Sequence, residues 1–137
     1  MRVISSQITF RRKSIIKSNI KFDEKFGAGA KYNRAEESIM LCDAIRNGLK
    51  IIKINETIGQ VKQTESTWFK GFNSEFFTMQ GACFYRMNRP IYKLLIIQYA
   101  IRKYPLYYKE VTINKAIKNM LNGAKLYIKE KGRNGKI

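Results

Sequence analysis

Residues 22–51 read FDEKFGAGAKYNRAEESIMLCDAIRNGLKI, and the order of residue types in this stretch carries the expected fold. Gly27 and Gly29 mark a loop. Two carboxylates, Glu36 and Glu37, follow it at the start of a periodic apolar run, where the positive end of a helix dipole favours negative charge. Ile39, Cys42, Ile45 and Leu49 recur at helical spacing, which predicts a helix over 36–47. Gly48 stands where a left-handed residue would end that helix. Residues 50–54 then read as a strand. Asn55 and Glu56 turn the chain, and 57–61 read as a further strand.

On the N-terminal side, Ile4, Ile8, Thr9 and Phe10 favour a strand over 3–10, closed by Arg11, Arg12 and Lys13. Ser14 is placed to cap a short helix through Asn19. On the C-terminal side, 62–67 is polar and loop-like, and beyond Trp68 the pattern becomes helical. Ser74 is positioned to cap a helix over 75–87. Pro90 suits the first turn of the next, which runs to Tyr104, and Pro105 is expected to stop it. Thr112 opens the last helix. There Ile113, Ile117, Met120, Leu121, Ala124 and Ile128 share one face, and Lys115, Lys118, Lys125 and Lys129 form a stripe beside it. Residues 131–137 are expected to fray. The expected fold class is therefore α/β: a few strands with a helix over 1–70, then a basic α-helical extension over 71–137.

Charge is the unusual bulk property. The chain of 137 residues carries 27 Lys plus Arg against 10 Asp plus Glu, a formal net charge of +17. Such a field draws polyanions: nucleic acid, anionic lipid headgroups or nucleotide-linked substrates. The balance is uneven, with 14 basic and 8 acidic residues in 1–75 against 13 and 2 in 76–137. The acids thus gather around the loop and the first predicted helix. Histidine is absent, which excludes imidazole bases, Ser-His triads and Cys/His zinc sites. Acid–base chemistry rests mainly on carboxylates. Cys42 and Cys83 each lie in an apolar helical stretch and read as buried thiols. The N-terminus lacks the continuous apolar run of a signal peptide, and the stretch around Leu94–Ile101 is too short to span a bilayer. A soluble or peripheral cytoplasmic protein is expected.

Taken in order, Ile8-Thr9-Phe10-Arg11-Arg12, the run from Phe22 to Ala30, Ala35-Glu36-Glu37 and Gly48-Leu49-Lys50-Ile51 resemble the second half of the family 2 glycosyltransferases, especially those that build bacterial surface polysaccharides. Glu65-Ser66-Thr67-Trp68-Phe69 and Gly81-Ala82-Cys83-Phe84-Tyr85-Arg86 are similar to the same subgroup. The resemblance implies part of a GT-A-like fold. It also implies transfer of a sugar from a nucleotide-sugar to a glycan or lipid-linked acceptor.

The family activates the acceptor hydroxyl with a carboxylate, and the matching position here is Glu37, a Glu where the family has Asp. By the same resemblance Glu36 orients the acceptor or holds the loop, and Asp23 and Glu24 fix the loop or line the acceptor side. Gly27 and Gly29 let backbone pass close to a bound sugar. Trp68 and Phe69 either stack on a sugar ring or pack in the core. The family holds Mg²⁺ or Mn²⁺ at the donor diphosphate with an Asp-x-Asp pair. Asp23 and Asp43, the only aspartates, form no such pair. The resemblance therefore implies that the metal ligands and the donor site fall in an N-terminal half, on a separate chain or upstream, without which this half is inactive.

The basic C-terminal helix reads as a solvated face, as an anionic-membrane dock, or as a nucleic-acid contact; no nucleic-acid-binding motif favours the last. The cluster from Tyr104 to Tyr108 reads as packing or as a membrane-facing edge. The alternative to the transferase is a small basic protein that binds nucleic acid or a membrane surface.

Overall fold

The computed structural model describes residues 7–57, 59 and 69–134. Five helices follow one another along them: α1 (Arg12–Lys17), α2 (Glu36–Arg46), α3 (Ser74–Met87), α4 (Tyr92–Tyr107) and α5 (Ile113–Asn134). Among the described residues there is no strand, and the sole bridge is an isolated one between Phe26 and Tyr32.

The expected α/β, GT-A-like class is thus overturned: the protein is mostly helical. Residues 50–54 show why. They form no strand, and Ile51, Ile52 and Ile54 are all exposed. A β-favouring run becomes a strand only when a second run satisfies its N–H and C=O groups, and among the described residues none pairs with it. Ile8–Phe10, the described part of the first expected strand, is likewise in no strand. The third, over 57–61, falls largely outside the described residues, as do the expected loop over 62–67 and Trp68.

The main helix pair is α3 with α5; α4 packs on both, and α2 packs on α3. Two glycines set the closeness of the main pair. A Cβ built on Gly81 of α3 would lie 1.8 Å from the Met120 carbonyl oxygen of α5, and one on Gly123 would lie 1.8 Å from the Thr78 carbonyl oxygen of α3. Backbone meets backbone at both points. The face of α5 turned to the core is therefore Ala116, Met120, Gly123, Ala124 and Tyr127, all buried. Ile113, Ile117 and Leu121 are only half-buried, and Ile128 is exposed. The sequence pattern placed Met120 and Ala124 on this face, as observed; the packing adds Ala116, Gly123 and Tyr127 in place of the isoleucines, and Gly123 is what permits the backbone approach. The apolar stripe of α5 is mostly spent on the core, which agrees with the reading of a core-packed helix with a solvated basic face.

Three apolar clusters result. Phe76, Phe77, Ile96, Ala100, Tyr107, Val111, Ala116 and Met120 fill the space among α3, α4 and α5. Phe26, Tyr32 and Ile39 join Met79, Ala82, Cys83 and Tyr127, so one cluster draws on both sides of residue 70. Ile20, just past α1, packs with Met40 and Ala44 of α2, with Ile15 of α1 and Leu49 against them.

Helix ends follow local chemistry with small departures. Asn73, not Ser74, caps α3, accepting from the Phe76 N–H at 2.8 Å. Gly48 takes φ +77° just past α2, as its position required. In α2, Ile45 is exposed and Met40 and Ala44 are buried instead. Pro90 lies in a turn before α4, and Pro105 does not end it: the helix runs on to Tyr107. A proline one turn from a helix end removes one N–H donor. Tyr107 offsets this, because its ring is buried and its hydroxyl donates to the Ala100 carbonyl at 2.7 Å.

Burial also sets a pH dependence. It pushes the Cys83 thiol up to about 12, and burial together with nearby Asp23 pushes the Tyr127 phenol up to about 12. Burial and Glu130 likewise raise Tyr32. The ordinary values are 9.0 for the thiol and 10.0 for the phenols, so the native state keeps protons that the unfolded chain releases. The stability these groups contribute is complete below about pH 9 and is lost as pH rises towards 12. Urea midpoints should fall steadily across that window. A flat profile there would show that these groups are not held in their neutral form.

Candidate functional site

The loop over 22–35 folds back on itself. The Gly27 N–H donates to the Tyr32 carbonyl at 2.9 Å, and the Tyr32 N–H donates to the Lys25 carbonyl at 3.0 Å. Gly27 and Gly29 adopt φ +104° and +77°, values costly for other residues. Ala35 enters α2 with φ +66° and provides no side-chain cap. The first turn of α2 is therefore uncapped, and Glu36 and Glu37 stand where its N–H groups and dipole favour negative charge.

The sequence-predicted residues can now be placed. Glu36 is half-buried and lies over Gly27: a Cβ there would come within 2.9 Å of the Glu36 carboxyl carbon. The glycine loop and the carboxylate pair, separate in sequence, thus meet. Glu37 is half-buried, neither sealed in the interior nor fully exposed. Glu24 and Gly29 are exposed, and Gly27 is buried. Asp23 turns inward. Trp68 lies outside the described residues. Phe69 is half-exposed and packs edge-on against Phe72 and Phe76, with ring centroids 5.0 and 5.6 Å apart.

One residue that sequence reasoning did not single out organises this region. Arg86, in the last turn of α3, donates from Nε to Asp23 Oδ2 at 2.7 Å. It also forks onto Asp43 of α2, with Nη1 to Oδ1 at 3.0 Å and Nη2 to Oδ2 at 2.7 Å. The Tyr127 hydroxyl of α5 donates to the same Asp23 oxygen at 3.4 Å. Hydrogen bonds donated to Asp43 and Asp23 hold the guanidinium further above its ordinary value, against the opposing effect of burial. A sequence signal for this existed: with Met79, Ala82 and Cys83 buried, helical spacing puts Arg86 beside the core-facing stripe of α3. Its only aspartate partners in the chain are the two it binds.

The loop has further ties. Arg34 lies over the Phe76 ring at 3.8 Å and donates to Gln80 Oε1 at 3.1 Å. Glu130 of α5 accepts from Lys31 and from the Tyr32 hydroxyl. Beneath, Phe26 stacks on Tyr32 and Tyr127 meets both at an angle, with centroids 5.1 to 5.8 Å apart.

Replacing Arg86 with Met should leave Asp23 without its guanidinium and Asp43 with Arg46 alone, at 3.5 Å. Breaking an ion pair that is about one-fifth exposed in this way should cost about 2–3 kcal/mol. Arg86→Lys should recover only part, since an ammonium cannot fork onto Asp43 while also reaching Asp23. Urea unfolding measures both. A Met variant as stable as the parent would show that the clamp contributes nothing.

Beside Arg86 lies an open hollow of about 410 Å³, walled by Arg46, Arg86, Arg89 and Lys131 with Tyr85 and Tyr127. Four cations against the two clamped aspartates leave it electropositive, a setting that favours phosphoryl groups. Glu37 lines neither this hollow nor the one along α5.

Among the described residues there is no group of three or more potential ligands, and both aspartates are held by Arg86. The donor set needed for Mg²⁺ or Mn²⁺ does not fit this arrangement. No protein-family model, no curated protein and no solved structure matches the chain.

Proposed function

We propose that this chain is the acceptor-activating half of an inverting, nucleotide-sugar-dependent glycosyltransferase, acting on a glycan or lipid-linked acceptor in surface-polysaccharide synthesis. The observation that carries the reading is the packing of the glycine loop against the carboxylate pair, with Glu36 lying over Gly27. It brings together two of the motifs on which the resemblance rests.

In this reading Glu37 accepts the proton of the acceptor hydroxyl as the oxygen attacks the anomeric carbon. The bond from that carbon to the nucleotide diphosphate breaks, and the diphosphate leaves with its electron pair. A carboxylate suits the role, since the chain contains no histidine. Glu36, beside the loop, orients the acceptor, and Asp23 holds the loop through Arg86. Donor binding and its metal belong to an N-terminal half. Ile51, Ile52 and Ile54 offer exposed apolar surface of the kind a partner covers. The site of action is the cytoplasmic face of the membrane, where a nucleotide-sugar and a lipid-linked acceptor meet.

The test is reconstitution. The chain, a family donor-binding half shown to bind nucleotide-sugar, and the two together are assayed for nucleotide release and extended acceptor in the presence of Mn²⁺. Product is expected from the pair only. Product from the chain alone would overturn the division of labour. Absence of product from the pair would overturn the transferase reading.

A further inference from the structure

Helix α4 is apolar on two faces, and the core uses only one. Ile96, Ala100 and Tyr107 are buried against α3 and α5. On the adjoining side, about 100° round the helix, Leu94, Ile97, Ile101 and Tyr104 face solvent, followed by Tyr108 just past the helix end; their exposures run from 39% to 63%. At 100° per residue these five positions fall within an arc of roughly 80°, and at 1.5 Å per residue they extend about 21 Å. Exposed Ile91, just before the helix, widens one margin. Isolated exposed apolar residues are ordinary, but a continuous stripe of this length marks a contact surface.

The charges around the stripe decide what covers it. Lys93 borders one edge; Arg102 and Lys109 border the other. Residues 88–109 hold five cations (Arg89, Lys93, Arg102, Lys103 and Lys109) and no carboxylate. A second copy of the chain laid on this face would set like charge against like charge. Anionic headgroups instead offer the complementary sign, while the lysine and arginine stems lie along the apolar surface and their charged ends reach the phosphates. Tyr104 and Tyr108, with apolar rings and polar hydroxyls, suit the boundary between acyl chains and water. No helix among the described residues is long and apolar enough to cross a membrane, so an in-plane seat is the geometry left to α4.

We infer that the outer face of α4 seats the protein in the surface of an anionic bilayer, with the helix axis parallel to the membrane. The inference is independent of the transferase reading, because neither donor nor acceptor enters its test.

The full chain is floated with vesicles of phosphatidylcholine alone and with vesicles containing phosphatidylglycerol and phosphatidylcholine in a one-to-three ratio. The expected result is binding to the anionic vesicles and weak or no binding to the neutral ones. Leu94→Ser with Ile101→Ser should reduce the bound fraction constant at least about tenfold, since both side chains lose their apolar contact with the acyl region. These positions are exposed, so the far-UV circular dichroism melt should match the parent, which separates loss of binding from loss of fold. Lys93→Glu with Arg102→Glu should weaken binding as well, and added salt should act in the same direction. Three results would overturn the inference. One is no binding to anionic vesicles. Another is binding that the Leu94/Ile101 variant leaves unchanged, which would assign it to cations elsewhere. The last is a concentration-dependent dimer, abolished by that same variant, which would show that a second copy covers the face.

Discussion

Replacing Gly81 or Gly123 with alanine should destabilise the protein by about 3 kcal/mol or more, a fall of roughly 10 °C in melting temperature for a chain of this size. The geometry leaves no slack. The added methyl at Gly81 would sit 1.8 Å from the Met120 carbonyl oxygen and 2.4 Å from its carbon, where real contacts stay above 3.0 Å. The atoms met are backbone, which cannot rotate away as a flexible side chain can. Helices α3 and α5 would have to part by more than an ångström. That separation would open the core around Ala116, Met120, Ala82 and Cys83, all fully buried, and lost contacts there are not readily recovered.

The sign of the change is diagnostic. In an isolated helix, glycine to alanine stabilises by up to about 1 kcal/mol, so local propensity and tertiary packing predict opposite outcomes. Gly132, also in α5 but with nothing near its added methyl, is the internal control. Gly132→Ala should be neutral or slightly stabilising. Thermal melts of the three variants decide the matter, and a stabilised Gly81→Ala would refute the close crossing.

In the reconstituted pair, Glu37→Gln should lower the rate of sugar transfer by about 10²- to 10⁴-fold, the range expected when a general base is removed. The amide keeps the size and shape of the side chain but cannot take up the acceptor proton. A purely structural role predicts something quite different. A carboxylate in the first turn of an uncapped helix contributes about 0.3–1 kcal/mol through the dipole. Its loss would shift the melting temperature by a few degrees and leave turnover almost intact. Glu37→Asp separates reach from chemistry: a carboxylate one methylene shorter should retain measurable turnover, well above that of the amide. Glu36→Gln should act mainly on acceptor KM, since its side chain lies over Gly27. Equal rates for the parent and the Glu37→Gln pair would remove Glu37 from the chemistry.

Much of the site was readable locally. The Gly27–Gly29 loop, the acidic start of α2 and its end at Gly48 depend on residues within a few positions of each other, and each lies close to its expected place. The Arg86 clamp was not readable from spacing alone, because it joins residues 63 and 43 positions apart. Nor was the length of α4: local rules end it before Pro105, but a buried tyrosine beyond the proline carries it one turn further.

What the amino-acid order determined unaided was the set of helices, the strongly basic balance and the absence of any imidazole chemistry. These follow from periodicity, capping and composition, which act over one or two turns of chain. Tertiary structure alone decided that residues 50–54 form no strand, that α5 buries Ala116, Gly123 and Tyr127 rather than its isoleucines, and that the free apolar face belongs to α4. Strand pairing and helix contact need a second segment at a few ångströms, and whether one arrives there depends on how the whole chain packs.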